Sequence, residues 1–150
     1  METRIIDSEL KLIPYYQNYE ETLGWYQDPI LCKQVDNIDF VYDLDRLAAM
    51  YTFLNTHGHC YYISYNDTLV GDVTLRDNNE LCIVVRTEYQ NKHIGRRCIK
   101  EMLKLASELS IDKVTANIYS FNKQSQAMFL SLGFIQTDDE WYEYILSETT

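Results

Sequence analysis

The chain has 150 residues, is 46% hydrophobic and 24% charged, and carries 13 tyrosines and a formal net charge of −10. Its length suits one compact domain spanning residues 1–150, and its composition is that of a globular protein able to build a core without staples. The excess of acid excludes a nucleic-acid backbone as partner, because phosphate binding needs a basic surface, whereas a cationic partner would be attracted by such a field.

Residues 1–7 carry acids and no long apolar run, and no stretch approaches a membrane span, so neither a signal peptide nor a membrane partner is expected and the expected location is cytoplasmic. The four cysteines, Cys32, Cys60, Cys82 and Cys98, form no CxxC spacing and read as reduced, mostly buried thiols. His57-Gly58-His59 has no third ligand spaced with it, so no metal site is expected.

In chain order, residues 9–15 suit a first strand. Residues 18–27 have helical spacing, with Tyr19, Leu23 and Tyr26 on one face, although Gly24 weakens it. Asp28-Pro29 stops that segment, since the residue before a proline avoids the α region. Residues 30–41 show no decisive pattern. Residues 43–55 predict a helix capped by Asp43, with Leu47, Met50, Tyr51 and Leu54 as its stripe and His57-Gly58 as its end.

Residues 60–65, 69–75 and 80–85 predict three strands of an antiparallel meander, separated by turn signals at Asn66-Asp67 and Asp77-Asn78-Asn79. The third is nearly all apolar, as in a strand covered on both faces. Residues 94–109 predict a long helix with a wide apolar stripe, and residues 113–119 a further strand. That passage implies parallel pairing of 81–85 with 114–119 through a right-handed crossover. Asn122 caps a short helix reaching Leu132, Gly133 takes the left-handed position after it, and residues 134–136 and 141–146 close the chain as strands. The sum is an α+β fold, a mixed, mostly antiparallel twisted sheet of about seven strands with about four helices.

The chemistry concentrates where the third strand runs into the long helix. The free N–H groups of a helix's first turn and its macrodipole make an anion site there. Gly95 lets a ligand approach the backbone, and Lys92, Arg96 and Arg97 add positive charge in an otherwise acidic chain. A phosphate or pyrophosphate suits that end, and a plain loop with a solvated basic turn is the alternative.

Two motifs together resemble those of the GNAT superfamily of acetyl-CoA-dependent N-acetyltransferases. Gln90 and Gly95 match its pyrophosphate motif, and Asn122, Ser125, Met128, Phe129, Gly133 and Phe134 match its second. The likeness covers residues 60–146. Trp25 and Asp28-Pro29 also resemble the branch that contains ribosomal-protein N-terminal acetyltransferases.

The resemblance implies acetyl-CoA as cosubstrate. Ile83, Val84 and Val85 would lie on the strand that pairs with the pantetheine arm. Gln90, Asn91, Lys92, His93, Ile94 and Gly95, with Arg96, would hold the pyrophosphate, and Asn122 would contact the cofactor near the thioester. An N–H of Val84 or Val85 would stabilise the oxyanion. The strands carrying Val85 and Tyr119 would splay apart around the acetyl group. His93 replaces a glycine of the motif, Asn117 stands where some relatives have a glutamate, and Phe129 stands where a tyrosine often acts as acid.

Glu80 is then the first choice of general base, with a simple turn role as its alternative, and Tyr119 or Tyr142 could supply the acid. The expected acceptor is an amine, either a small cationic molecule or a peptide such as a protein N-terminus, and a homodimer is left open. A module of the same fold that binds or senses acyl-CoA without turnover is the competing reading.

Overall fold

The computed structural model describes residues 1–146. Strands β1 (Arg4–Ile5) and β2 (Leu10–Pro14) lead into three helices, α1 (Tyr19–Thr22), α2 (Pro29–Asp36) and α3 (Leu44–Thr56). A meander of β3 (Gly58–Tyr65), β4 (Thr68–Arg76) and β5 (Leu81–Val85) follows, then the long helix α4 (Ile94–Glu108), β6 (Lys113–Asn117), α5 (Lys123–Ser131), β7 (Ile135–Asp138) and β8 (Trp141–Ile145).

Most elements sit where hydrophobic periodicity places them. Residues 18–27 divide into α1 and a 3₁₀ turn, Leu23–Gln27, which ends at Asp28. The undecided stretch after it is α2, whose start is dictated by local chemistry: Asp28 accepts from the Ile30 N–H and Pro29 occupies the first turn, where a missing N–H costs nothing. Asp43 caps α3 by accepting from the Arg46 N–H at 2.8 Å. Gly133 has a φ of 106°, as its position after α5 requires.

The sheet expectation needs one correction. There are two antiparallel sheets, β1-β2-β3-β4-β5 and β6-β8-β7, rather than one mixed sheet. The predicted parallel pairing of 81–85 with 114–119 is reduced to a single bridge, Glu80 with Thr115, held by the Thr115 N–H on the Asn79 carbonyl at 3.0 Å. Beyond it the two strands do not pair, and β6 ends at Asn117 instead of reaching Tyr119. Ile83, Val85, Ile94, Ile118 and Phe129 belong to one apolar cluster and also line the space left where the strands part.

The five-stranded sheet is buried on both faces. Leu81, Ile94, Ile99, Met102, Val114, Phe129 and Tyr142 belong to the cluster on the α4 face. Trp25, Tyr26, Leu31, Leu47, Tyr51, Cys60 and Tyr62 make the cluster under α1–α3. This arrangement explains why β5 is read as a nearly all-apolar run, and it fixes which face each side chain of β5 meets.

Candidate functional site

Register on β5 decides where its backbone groups point. The Arg86 N–H donates to Val70 O at 2.8 Å and the Arg76 N–H to Glu80 O at 2.8 Å, while Val84 pairs with Asp72 and Cys82 with Thr74. In an antiparallel ladder bonded pairs alternate, so the even-numbered residues of β5 turn their N–H and C=O toward β4. Leu81, Ile83 and Val85 therefore turn theirs toward β6, as Asn79 does in accepting from Thr115. Of the two expected oxyanion donors, the Val85 N–H faces the gap between the strands and the Val84 N–H is taken up by the sheet.

A cavity of about 910 Å³ opens at this gap. It runs between β5 and β6, reaching the start of α4 and α5 on one side and α2 and α3 on the other. Glu80, Ile83, Val84, Val85, Tyr119 and Asn122 line it, as do Gln90, Asn91, His93, Ile94, Gly95 and Arg96. Two expected residues do not. Tyr142 is 1% exposed in the core of β8, paired with Ala116, and is walled off from the cavity by that packing. The Lys92 side chain is exposed and outside the lining, so only its backbone belongs to the loop at the site.

The α4 end is built as an anion cradle. Asn91 and His93 have φ of 65° and 60°, and His93 is the N-cap of α4 with no side-chain cap bond, so the first-turn N–H groups are not satisfied by it. Alternating left-handed residues before a helix turn successive N–H groups toward one point, a nest for an anion. The left-handed angle also gives the reason for glycine at this place in the motif; histidine tolerates it better than most side chains.

Gly95 has no such need, and a Cβ there would meet only Met128 Cε at 3.6 Å and Ile83 Cδ1 at 3.9 Å. No described residue packs against it closely enough to demand that glycine.

Side chains tie the cradle to its neighbours. Gln90 Nε2 donates to Val85 O at 3.0 Å and to Gln34 Oε1 at 2.9 Å. Gln124 Nε2 donates to Asn91 Oδ1, and Arg96 to Ser131 Oγ. Asn122 spends its carbonyl oxygen capping α5, on the Ser125 N–H at 3.2 Å, which leaves its amide N–H groups for a ligand. Arg97 is turned away and paired with Asp7 at 2.9 Å and Glu9 at 3.2 Å. The local basic cluster thus narrows to Arg96 at the cavity.

The α2–α3 side of the cavity has the opposite character. Asp36, Asp72 and Glu80 line it with Tyr26 and Tyr42. Among the described residues, Arg96 and His93 are the only basic side chains in the lining. Glu80 is paired with Arg76 at 2.9 Å, and Asp36 with Arg46 at 3.7 Å while accepting from Tyr42. Asp72 is 3% exposed and accepts from Tyr26 at 2.7 Å and Tyr51 at 2.9 Å. Burial pushes its carboxyl up to about 6, against the lowering effect of those two bonds. The sequence reading passed over Asp72; the available signal was a lone acid within a strand that is otherwise apolar.

Cys82 also lines the cavity, but burial pushes its thiol up to about 12, so it is not a thiolate near neutral pH. Burial likewise raises the Tyr119 hydroxyl above its ordinary value, with Asp36, Glu140 and Glu80 adding to the effect. Among the described residues no group of three or more His, Cys, Asp or Glu could hold a metal ion. No described helix is long and apolar enough to cross a membrane.

Comparison with known structures places this geometry. A domain from Methanocaldococcus jannaschii DSM 2661 superposes with a TM-score of 0.80 at 24% identity, over 93% of this chain and 100% of its own. Spermidine N-acetyltransferase from Vibrio cholerae, solved with CoA and spermine, gives 0.80 at 15% identity, over 95% and 98%. The Salmonella typhimurium acetyltransferase that modifies the N-terminal serine of ribosomal protein L7/L12 gives 0.74 at 11%, over 97% and 99%. At these identities the likeness establishes the fold. Comparison with the curated proteins finds no match. The acetyltransferase (GNAT) family matches residues 16–134, most of the chain. This protein belongs to that family and is an acetyl-CoA-dependent acyltransferase.

Proposed function

We propose that the protein transfers an acetyl group to a primary amine of a small cationic molecule by direct attack. The observation that carries this reading is the charge polarity of the cavity lining: a helix N-terminus with Arg96 on one side, and on the other three carboxylates, two of them paired with arginines that lie outside the lining. The first side suits a pyrophosphate and the second an ammonium.

Acetyl-CoA supplies an acyl group activated as a thioester. In this reading the backbones of Ile83 and Val85 hold the pantetheine arm like an added strand. The N–H groups of residues 90–95, including Gln90, Asn91, Lys92, His93 and Ile94, with Gly95 as the close approach and Arg96 as the charge, hold the pyrophosphate. Asn122 offers its amide near the thioester. The Val85 N–H stabilises the developing oxyanion. Tyr119, which lines the cavity, returns a proton to sulfur in this reading, and Glu80 contributes to the attraction for a cation. The neutral Cys82 thiol favours direct attack over an acyl-cysteine route.

The test is CoA-thiol release with spermidine, an aminoglycoside and a peptide bearing a free N-terminus, with products identified by mass spectrometry. Turnover confined to the polycationic small molecules is the expected result. Turnover only of the peptide would replace the substrate class. Tight acetyl-CoA binding with no turnover of any amine would make the protein a binding module. For the donor site, Gly95→Asp should weaken acetyl-CoA binding in calorimetry, and unchanged affinity would sink that assignment.

A further inference from the structure

Among the carboxylates of the cavity, Asp72 differs from the other two. Glu80 and Asp36 each have an arginine partner. Asp72 has none among the described residues, although it is the most deeply buried of the three. A buried carboxylate without a cation is costly and persists where something else supplies the charge.

Both tyrosines donate to the same oxygen, Oδ2, and no described residue donates to Oδ1. They orient the carboxylate while leaving half of it to a ligand. The groups that feel Asp72 are Tyr15 after β2, Tyr26 on the 3₁₀ turn, Tyr51 on α3, Cys60 and Tyr62 on β3, and Cys82 on β5. Burial pushes every one of them up, so all are neutral where Asp72 ionises, and none can balance its charge. In the ladder Asp72 stands opposite Val84, and paired residues share a face. That places the carboxylate on the α1–α3 side of the sheet with Val84, where it lines the cavity together with Val84 and Val85.

We infer that Asp72 is the residue that receives the acceptor's ammonium group and takes its proton, an assignment that rests on the acetyltransferase reading above. Oδ1 accepts one proton from the ammonium, and the freed nitrogen lone pair adds to the thioester carbonyl carbon. The Val85 N–H holds the carbonyl oxygen while the carbon–sulfur bond breaks. Sulfur leaves with the bonding pair and takes a proton from Tyr119, which regains one from the second proton shed by nitrogen, giving the amide and the CoA thiol. Asp72 then passes its proton to solvent. Tyr26 and Tyr51 are positioning residues.

The experiment uses the full chain as wild type, Asp72→Asn and Tyr51→Phe, with the best amine of the same panel. Acetyl-CoA affinity is read by calorimetry and CoA-thiol release between about pH 5 and about pH 9. The wild type should show a kcat/KM limb near pH 6, falling on the acid side as Asp72 protonates. Asp72→Asn should keep acetyl-CoA affinity within about two-fold, lose about 100-fold in kcat/KM, and lose that limb, its remaining rate rising with the fraction of neutral amine. Tyr51→Phe removes a bond to the carboxylate and should move the limb to higher pH at unchanged acetyl-CoA affinity, which serves if Asp72→Asn does not fold. An Asp72→Asn protein within about three-fold of wild type, or a Tyr51→Phe limb that does not move, overturns the assignment and leaves the acetyltransferase reading standing. Wild-type protein that turns over no amine overturns both.

Discussion

A Cβ on Gly71 would lie 2.0 Å from the carbonyl oxygen of Val84, so β4 and β5 approach each other here as only a glycine allows. The obstruction is the backbone of the neighbouring strand β5, which cannot swing aside as a side-chain tip can. Gly71 is also the ladder partner of Val85, whose N–H is assigned to the oxyanion. We expect Gly71→Ala to displace β5, costing about 1–3 kcal/mol in denaturant unfolding, with a larger fall in kcat than in acetyl-CoA affinity. Wild-type stability and turnover would show that the two strands are not held at this spacing.

The buried Asp72 predicts a pH-dependent gain when its charge is removed. Its carboxyl is raised from 3.8 to about 6 by burial, so the folded state holds the proton more tightly than the unfolded chain. The sign follows: this group's contribution to stability declines as pH rises from about 4 to about 6 and stays reduced above that, by roughly 3 kcal/mol. Asp72→Asn should therefore unfold at higher temperature than wild type at about pH 8, with the advantage shrinking toward about pH 4. A difference that does not vary with pH would mean that the carboxyl titrates normally.

Glu80 and Asp72 are separable. Glu80 is engaged by Arg76, and Glu80→Gln is expected to retain the acid limb near pH 6 that Asp72→Asn abolishes. The rate with Glu80→Gln should fall through weaker attraction of a cationic amine, seen as a rise in KM that salt diminishes. Loss of the limb in Glu80→Gln would return the base role to that residue.

His93 adopts a φ of 60° and gives no side-chain cap to α4. Replacing it with glycine relieves the left-handed strain but loosens the unfolded chain, and the two effects oppose each other at about 1 kcal/mol each. His93→Gly should accordingly change stability little and keep acetyl-CoA affinity, because the loop offers its backbone. A large loss of affinity would assign the imidazole itself to the cofactor.

The helices and the meander were legible because their apolar residues recur with the right period and because Asp43, Asn122 and Gly133 mark ends by local hydrogen bonding. The helix start at Ile94 was legible too, since the strand, loop and helix around it are set by residues close in the chain. Helix α2 was missed because it is only eight residues long and its start depends on one Asp-Pro pair. Lys92 and Tyr142 show the limit of assigning side chains from motifs: one points into solvent and the other into the core.

The sequence by itself determined the family and the order of elements, because each depends on residues close together in the chain. Only the tertiary structure decided that β5 and β6 meet at one bridge and then part, and that Val85 rather than Val84 turns its N–H into the gap. It also brought Asp36, Asp72 and Glu80, from α2, β4 and the edge of β5, to one wall. Charge polarity across a cavity is a long-range property: it depends on which acids find an arginine in the fold, and Asp72, held between Tyr26 and Tyr51, is the one that does not.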